Sequence, residues 1–510
     1  MKRISATILA GVWGVACAAQ QPLSAIDWLD EASTAAVTAP RLPLSLEAPV
    51  TDGVDTPRVA VTALDAPRAD AVGLLPSRTT GLPKTLWQGS TTRDILRLFG
   101  HFSAEPLPAI QALHYTLLLA EADAPDDADA DAQFLLARIK ALRRAGAIEP
   151  ALALIERAGP ANKALFDQWF DLALFTGQED TPCTDLSRQP RLSTEFEARI
   201  FCTARTGDWQ TAALIFESAD TLGALSDTNS TLLALFLDPE MIDETEPPRV
   251  PKTLTPLQFR LFEAIGTPLP THNLARAFAM ADLRGTSGWK AEVEAAERLA
   301  RTGALPAARL LGLYTDRKPA ASGGVWDRIK AIQTLDKALN RADPGAIADA
   351  LPEAWSAAQS QRLEVPFAEL FADRLAAVAL PDDIESLAFE ISLLSERYES
   401  AAQVFAPTNQ QQRFLTGLAV GEPAMQDAST TLEKALAAGF AQTEAAPAHQ
   451  ALLDRGQLGE AILMASNKLD RASAGGRDGV GDAIATLRAV GLEDTARRAA
   501  LQMLLLSGQR

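Results

Sequence analysis

The residue types that most often carry catalysis or bind metals are sparse in this chain and do not fall at the required spacings. Its four histidines stand at positions 101, 114, 272 and 449, and no pair has the His-x-x-x-His spacing of a helical zinc site. A phosphate-binding loop and a dinucleotide fingerprint are absent, and the segment Gly285 to Gly288 is too short for a nucleophile elbow. We therefore predict no catalytic residue, no cofactor and no metal site, and we expect His114 to be a packing residue.

A run of alternating aspartates between Asp123 and Asp131 has a carboxylate spacing similar to that of calcium-binding loops. The pattern fails at two defining positions, because Ala132 stands where an EF-hand needs glycine and Arg138 stands where it needs the bidentate glutamate. Acidic residues also stabilise the positive end of a helix dipole. We interpret the run as the acid-rich, solvated start of a helix.

The first 18 residues have the features of a secretory signal peptide. Lys2 and Arg3 precede an apolar run over residues 4–16, which is too short to span a bilayer, and small residues flank position 17 as a cleavage site requires. Residues 1–18 are therefore predicted to direct export to the periplasm. In the alternative, Cys17 is the lipidated cysteine of a lipobox in which Gly14 replaces the usual leucine, and the product is an outer-membrane lipoprotein facing the periplasm.

Export places the two remaining cysteines, Cys183 and Cys202, in an oxidising compartment, where an even pair favours a disulfide over free thiols. The sequence predicts Cys183 in a loop over residues 177–190 and Cys202 in a helix over residues 193–206. A bridge between them closes a loop of about 20 residues and is expected to stabilise the fold by roughly 3 kcal/mol. The alternative is a pair of buried, reduced thiols.

The chain is predicted to consist largely of helical hairpins, and residues 289–314 show the hairpin pattern most clearly. Trp289, Val293 and Ala296 recur at the helical period, Gly303 closes the first helix and Pro306 opens the second. A shared pattern, which we call the hairpin frame, consists of a glycine, an apolar residue two positions later and an alanine five positions later. It begins at positions 146, 207, 303 and 456. Residues 397–401 and 491–496 keep it in part. Abundant alanine and leucine also favour helices over strands.

These segments resemble the turn and second helix of tetratricopeptide (TPR) repeats, and residues 206–219, TGDWQTAALIFESA, are the most similar. The first helices depart from that pattern, and the spacing between matches is irregular. The resemblance implies an all-α fold, an α-solenoid of stacked helical hairpins that form a TPR-like superhelix. Members of that fold mostly bind proteins or peptides on a concave surface. The chain also resembles exported proteins of Gram-negative bacteria.

A second resemblance concerns Glu399 and Ser400, which are similar to the Glu-Ser pair of the soluble lytic transglycosylases. Those enzymes are exported, fold as α-superhelices and cleave peptidoglycan with a catalytic glutamate. The resemblance implies a cell-wall enzyme in which Glu399 is the acid. The pair lies in a hairpin turn here and the accompanying Gly-Leu-Met-Gln is absent, so such an enzyme has degenerate motifs.

Residues 19–88 are rich in proline and are predicted to form a linker or an extended arm. Ile26, Trp28 and Leu29 form an apolar cluster near its start, and we consider them a candidate partner-binding motif. A second apolar cluster near its end is expected to pack on the first helices, and it comprises Leu74, Leu75, Leu82, Leu86 and Trp87. A purely solvated spacer would need neither cluster.

The helical body is predicted to consist of two segments, residues 89–317 and 325–510, which stack on each other across a Gly- and Ser-containing break. Trp169 and Phe170 belong to an aromatic group larger than one helix face needs, and they are our candidate partner-binding patch in this body. Trp209 and Trp289 follow the hairpin frame and are predicted to be core residues.

The charge balance narrows the class of partner. The chain has 47 Lys and Arg against 65 Asp and Glu, a net charge of −18, which argues against nucleic acid and is compatible with a basic partner or with simple solubility. Two functions remain in view. The first is a non-catalytic periplasmic helical-repeat scaffold that binds a protein or peptide partner in the cell envelope. The second is a degenerate peptidoglycan-acting enzyme of the lytic transglycosylase type.

Overall fold

A computed structural model describes residues 69–128, 131–473 and 478–506. Within these ranges all regular structure is helical, and the single β-type contact is an isolated bridge between Leu75 and Ala120. The predicted all-α class is thus confirmed. The predicted signal peptide, Cys17 and the cluster of Ile26, Trp28 and Leu29 lie outside the described residues.

The structure contains 25 α-helices within the described ranges. The first twelve are α1 (Ser77–Thr80), α2 (Thr92–Gly100), α3 (Pro108–Leu119), α4 (Gln133–Ala145), α5 (Ile148–Arg157), α6 (Phe166–Thr176), α7 (Asp180–Arg188), α8 (Phe196–Arg205), α9 (Trp209–Thr221), α10 (Asp227–Leu237), α11 (Pro256–Ala264) and α12 (Ala279–Asp282). The remaining α-helices are α13 (Trp289–Ala300), α14 (Ala307–Thr315), α15 (Val325–Asn340), α16 (Pro344–Gln359), α17 (Glu364–Ala376), α18 (Asp382–Leu393), α19 (Tyr398–Val404), α20 (Gln410–Val420), α21 (Thr431–Ala441), α22 (Pro447–Leu453), α23 (Leu458–Ser473), α24 (Val480–Ala489) and α25 (Glu493–Leu505). Short 3-10 helices span Ala69–Ala71, Pro239–Asp243, Thr271–Asn273, Arg276–Phe278 and Met425–Asp427. None of the described helices is long and apolar enough to cross a membrane.

The hairpin frame marks real turns between paired helices. Gly146, Gly207, Gly303, Gly456 and Gly491 lie between α4 and α5, α8 and α9, α13 and α14, α22 and α23, and α24 and α25. All five have positive φ, from 65° at Gly303 to 97° at Gly207, a region that only glycine enters without a Cβ penalty. The predicted helical hairpins are therefore present at these positions.

Most helices pack on their neighbours in sequence, and the last helices also pack on the first. The hairpin α15 and α16 and the hairpin α8 and α9 are examples of the first kind of contact. For the second kind, α2 packs on α23, and α3 packs on both α23 and α25. In an ideal open array each repeat contacts only its neighbours. Here the C-terminal helices close on the N-terminal ones.

The apolar cluster before α2 takes part in this closure. Leu86 and Trp87 are fully buried, and the ring of Trp87 packs edge-on against Phe99 of α2 and Phe134 of α4, with centroid distances of 6.1 and 5.5 Å. The backbone N–H of Gly459 in α23 donates to the carbonyl oxygen of Leu86 at 2.9 Å. The expectation that this cluster packs on the helical body is confirmed, and its partners include a helix near the other end of the chain.

All described residues belong to one compact unit. The break predicted at residues 318–324 lies between α14 and α15, and these two helices pack on each other. Trp326 of α15 also contacts Trp289 of α13, with ring centroids 5.2 Å apart. The segments on either side of the break are thus stacked rather than freely linked.

Candidate functional site

The aromatic patch predicted on α6 is not at the surface. Trp169 and Phe170 are only 4% and 3% exposed, so neither side chain is accessible to a partner. The prediction was wrong about accessibility because neighbouring helices cover the aromatic excess. Phe166 packs on both residues, and Phe201 of α8 lies over Phe170 with ring centroids 6.1 Å apart.

The same aromatic row reaches the surface at a different residue. Phe201 stacks on Phe236 of α10 at 5.4 Å, and Phe236 contacts Trp209 at 5.6 Å. Trp209 is 47% exposed, so its predicted core position was wrong, whereas Trp289 is buried as predicted. The row therefore begins in the core at Phe170 and ends in solvent at Trp209.

Helix α9 exposes an unusual amount of apolar surface. Its only buried residues are Ala212 and Ala219, two small side chains seven positions apart that allow α8 to approach closely. Three large apolar side chains of α9 and its C-cap are left in solvent, Trp209 at 47%, Leu214 at 64% and Leu222 at 75%. Exposed apolar surface of this kind marks interaction sites in soluble domains. We call the exposed side of residues 209–222 the α9 surface.

The sequence that contains α9 and the helices after it is strongly acidic. Residues 206–248 contain nine Asp and Glu and no Lys, Arg or His. Asp208, Glu217 and Asp220 are exposed on and beside α9, and Glu240 and Asp243 are exposed on the 3-10 helix that follows α10. The exposed apolar side chains of α9 thus lie in a stretch of sequence that carries carboxylates and no basic residue.

The predicted disulfide supports the helix beneath this surface. Cys183 and Cys202 are joined, with Cα atoms 4.6 Å apart, and both are buried. Cys183 lies within α7 rather than in the predicted loop, because residues 180–188 form a separate helix after the turn at Gly177. The bond therefore joins two helices, α7 and α8, and α8 is the helix on which α9 packs.

Polar contacts fix the rest of this platform. Glu179, at the start of α7, is completely buried and lies 2.5 Å from the guanidinium of Arg260 in α11 and 3.5 Å from that of Arg205 in α8. Asn229 of α10 donates to Glu197 of α8 at 2.7 Å. Helices α7, α8, α10 and α11 are thus linked by charged and amide groups, which holds the support of α9 in one arrangement.

The two buried histidines are arranged for packing. His114 of α3 stacks on Phe102 with ring centroids 3.7 Å apart, and its Nε2 lies 3.1 Å from the Ser466 hydroxyl. Burial, with Arg144 nearby, lowers the pKa of His114 to about 3. His449 contacts the Thr486 hydroxyl at 2.7 Å, and burial lowers its pKa as well. Neither ring is placed to exchange protons with a bound substrate at neutral pH.

The glutamate of the transglycosylase resemblance occupies an open position. Glu399 lies in α19, its side chain is half exposed, and it lies 3.4 Å from the guanidinium of Arg497. The acid of a glycoside-cleaving enzyme lies in an apolar pocket, whereas the side chain of Glu399 is half exposed and paired with arginine. In the part of the chain that the structure describes, no group of three or more His, Cys, Asp or Glu side chains is arranged to hold a metal ion.

Comparison with known proteins finds no family model, no curated protein and no solved structure that matches this chain. The geometry of the α9 surface is therefore the principal guide to function. Sequence reasoning missed this surface because the hairpin frame assigned Trp209 to the core. The absence of any basic residue over residues 206–248 was the signal that could have indicated it.

Proposed function

We propose that this protein is a non-catalytic, periplasmic helical-repeat scaffold that binds a protein or peptide partner in the cell envelope. The α9 surface carries this proposal, because it combines exposed Trp209, Leu214 and Leu222 with a rigid support. Tryptophan is among the residues that contribute most to binding energy at interfaces. A support that does not reorganise reduces the cost of ordering the interface.

The partner's chemistry follows from the carboxylates around the α9 surface. A segment that covers Trp209 and Leu214 must also face Asp208, Glu217 and Asp220. Basic residues at the rim of an apolar face would complement these charges and speed association. We propose a basic, amphipathic segment as the partner's binding element, such as a helix with one apolar and one Lys- or Arg-rich side.

The remaining parts of the proposal concern location and fold type. Disulfides persist in oxidising compartments, so the bond between Cys183 and Cys202 supports export. The signal-peptide features of residues 1–18 support the periplasm as the destination, and Cys17 offers the alternative of a lipid tether. The stacked hairpins support a TPR-like superhelix, here with its last helices packed on the first.

A crosslinking experiment in the periplasm tests the proposal directly. A photo-reactive amino acid at Gln210, which is exposed on α9, is expected to capture a partner in otherwise wild-type protein. The double variant Trp209→Ala and Leu214→Ser is expected to weaken binding of that partner roughly 30-fold, the scale of a hot-spot loss. Binding should also weaken as salt screens the carboxylates.

The matched control uses apolar side chains that are equally exposed elsewhere. Val404→Ser and Met425→Ser remove 85% and 51% exposed residues from other helices, and they should leave the captured partner unchanged. If the control variants lost as much partner binding as the α9 variant, the capture would reflect non-specific binding to exposed apolar side chains. If the protein released soluble peptidoglycan fragments and Glu399→Gln abolished that release, the scaffold proposal would be wrong and the enzyme would take its place.

A further inference from the structure

A cavity of about 270 Å³ lies where five distant segments of the chain meet. Its wall includes Glu105 and Pro106 before α3, Arg301 after α13, Arg362 before α17 and Leu506 after α25. The packing of the last helices on the first therefore creates it. Its volume is slightly below the roughly 300–1,000 Å³ of typical small-molecule sites, so a ligand of modest size fits it.

Arginines gather around one carboxylate at this cavity. Glu105 lies 2.5 Å from the guanidinium of Arg276 and 3.8 Å from that of Arg362. Arg276 also donates to the carbonyl oxygen of Ala104 at 3.0 Å. Glu105 is thus shared between two arginines, and its single negative charge faces more than one positive charge.

Arg301 contributes a third guanidinium, and not all of its N–H donors have a hydrogen-bond acceptor. One of its terminal nitrogens donates to the side-chain oxygen of Gln361 at 2.7 Å, while its Nε is buried and has no hydrogen-bond acceptor. Among the residues that the structure describes, Arg301 forms no ion pair within 4 Å. Burial lowers its pKa, the nearby carboxylates of Glu105 and Glu297 raise it, and the charges of Arg362 and Arg276 lower it again. A buried donor next to like charges is stabilised when an anion binds.

The backbone of Arg362 forms a left-handed turn after α16, as that of Ala342 does after α15. Arg362 has φ of 54°, in the left-handed region that residues with a Cβ seldom occupy. Such conformations cost free energy. A glycine would fit this turn at lower cost, but it would remove the guanidinium from the cavity wall.

We propose that this cavity binds a small ligand that carries one carboxylate and an apolar body. The planar guanidinium groups of Arg301 and Arg362 suit a carboxylate, which accepts paired hydrogen bonds from such groups. Pro106, Val365 and Leu506 supply apolar wall for the rest of the ligand. The inference does not depend on the α9 surface.

The two acidic residues of the cavity wall offset the charges of Arg301 and Arg362, so the site has little excess positive charge with which to hold a doubly charged anion. Glu105 and Glu364 both line it, and Glu364 is buried at the first position of α17. Their negative charges repel a doubly charged phosphate more strongly than a singly charged carboxylate. We therefore assign a monocarboxylate rather than a phosphate ester to the site.

Calorimetric titration of the full-length protein with two matched probes tests the proposal. N-acetyl-leucine carries the free carboxylate, and N-acetyl-leucinamide has the same shape without the charge. The free acid is expected to bind, and the amide to bind about tenfold more weakly or not at all, because charge-assisted hydrogen bonds are lost. This comparison uses the wild-type chain, so it does not depend on a variant folding.

A variant pair locates the binding. Arg301→Gln should reduce the affinity for N-acetyl-leucine about tenfold. Arg309→Gln is the control, because Arg309 is exposed and pairs with Glu149 away from the cavity wall; it should leave the affinity unchanged. Equal binding of acid and amide, unchanged affinity in Arg301→Gln, or tighter binding of inorganic phosphate than of the acid would each overturn the proposal.

Discussion

The hairpins that turn at Gly207 and Gly456 share one sequence frame, yet their second helices have opposite surroundings. Helix α9 buries two of its 13 residues, whereas α23 buries 11 of its 16. Helix α9 packs mainly on α8 and α10, while α23 packs on α2, α3, α22 and α24. The frame specifies a turn and a close helix pair, but elements from elsewhere in the chain decide whether the outer face is covered.

One position within the frame separates the two hairpins. Three residues after the turn glycine, α23 has Gly459 and α9 has the exposed Gln210. A Cβ at Gly459 would lie 2.5 Å from the Trp87 ring and 2.8 Å from the Leu86 carbonyl oxygen. Only glycine allows the segment before α2 to approach this closely. The α9 hairpin has no equivalent approach, and its face stays open.

Polar side chains of α23 are a further difference from α9, because they form hydrogen bonds with residues near the N-terminal helices. Asn467 donates to the carbonyl oxygen of Leu98 at 3.2 Å, and Asp470 accepts from the backbone N–H of Leu107 at 3.1 Å. Glu460 accepts from the hydroxyl of Ser90 at 3.1 Å. The polar side of α23, a helix whose sequence is amphipathic, is thus buried, and each of these three side chains makes a hydrogen bond to a residue more than 360 positions away in the chain.

The largest effect is expected where the two ends of the chain meet. Trp87→Ala removes a fully buried side chain packed on Gly459, and it should lower the free energy of unfolding by about 3–5 kcal/mol. Trp209→Ala in the other hairpin should cost about 1 kcal/mol or less, because that ring is half exposed. Urea unfolding of both variants measures the difference. Equal losses would mean that α9 is covered in solution and would remove the contrast.

The disulfide should matter next, and its effect should be local to the α9 platform. Replacing Cys183 and Cys202 by alanine opens a loop with a sequence separation of 19, and the expected loss is about 3 kcal/mol. Hydrogen exchange should quicken in α8 and α9 and change little in α23, because the bond joins α7 to α8. A uniform increase across both hairpins would instead show that the two regions unfold together.

The sequence predicts the hairpins, the disulfide and the all-α class because each depends on local patterns or on residue type. Turn glycines need positive φ, and an even pair of cysteines in an exported chain favours a bond. Burial at Trp169 and exposure at Trp209 depend on which distant helices arrive above them, and the frame contains no such information. The cavity at Arg301 and Arg362 escaped prediction for the same reason, since its wall combines segments from both ends of the chain.

Lowering the pH should destabilise the region where the first and last helices pack on each other. The group responsible is His114 of α3, which contacts Ser466 of α23. Its folded pKa of about 3 is below the ordinary 6.5, so below pH 6.5 the unfolded chain binds a proton that the folded chain does not. Stability should therefore fall as the pH is lowered from 6.5 toward 3, by about 1.5 kcal/mol between pH 6.5 and 5. His114→Phe should reduce this slope, and buried His449, whose pKa is also lowered, accounts for part of the slope that remains. Unfolding curves across this pH range would reject the assignment if His114→Phe kept the full slope.

The smallest effect on stability is expected at the most open part of α9. Leu214 is 64% exposed, so Leu214→Ser should change the free energy of unfolding by no more than about 0.5 kcal/mol. Chemical denaturation at two protein concentrations gives the measurement. A loss of several times that size would show that Leu214 is covered in solution, and dependence of the loss on concentration would identify a second copy of the chain as the cover. A small, concentration-independent change leaves the α9 surface free for a partner, at little cost to the fold that presents it.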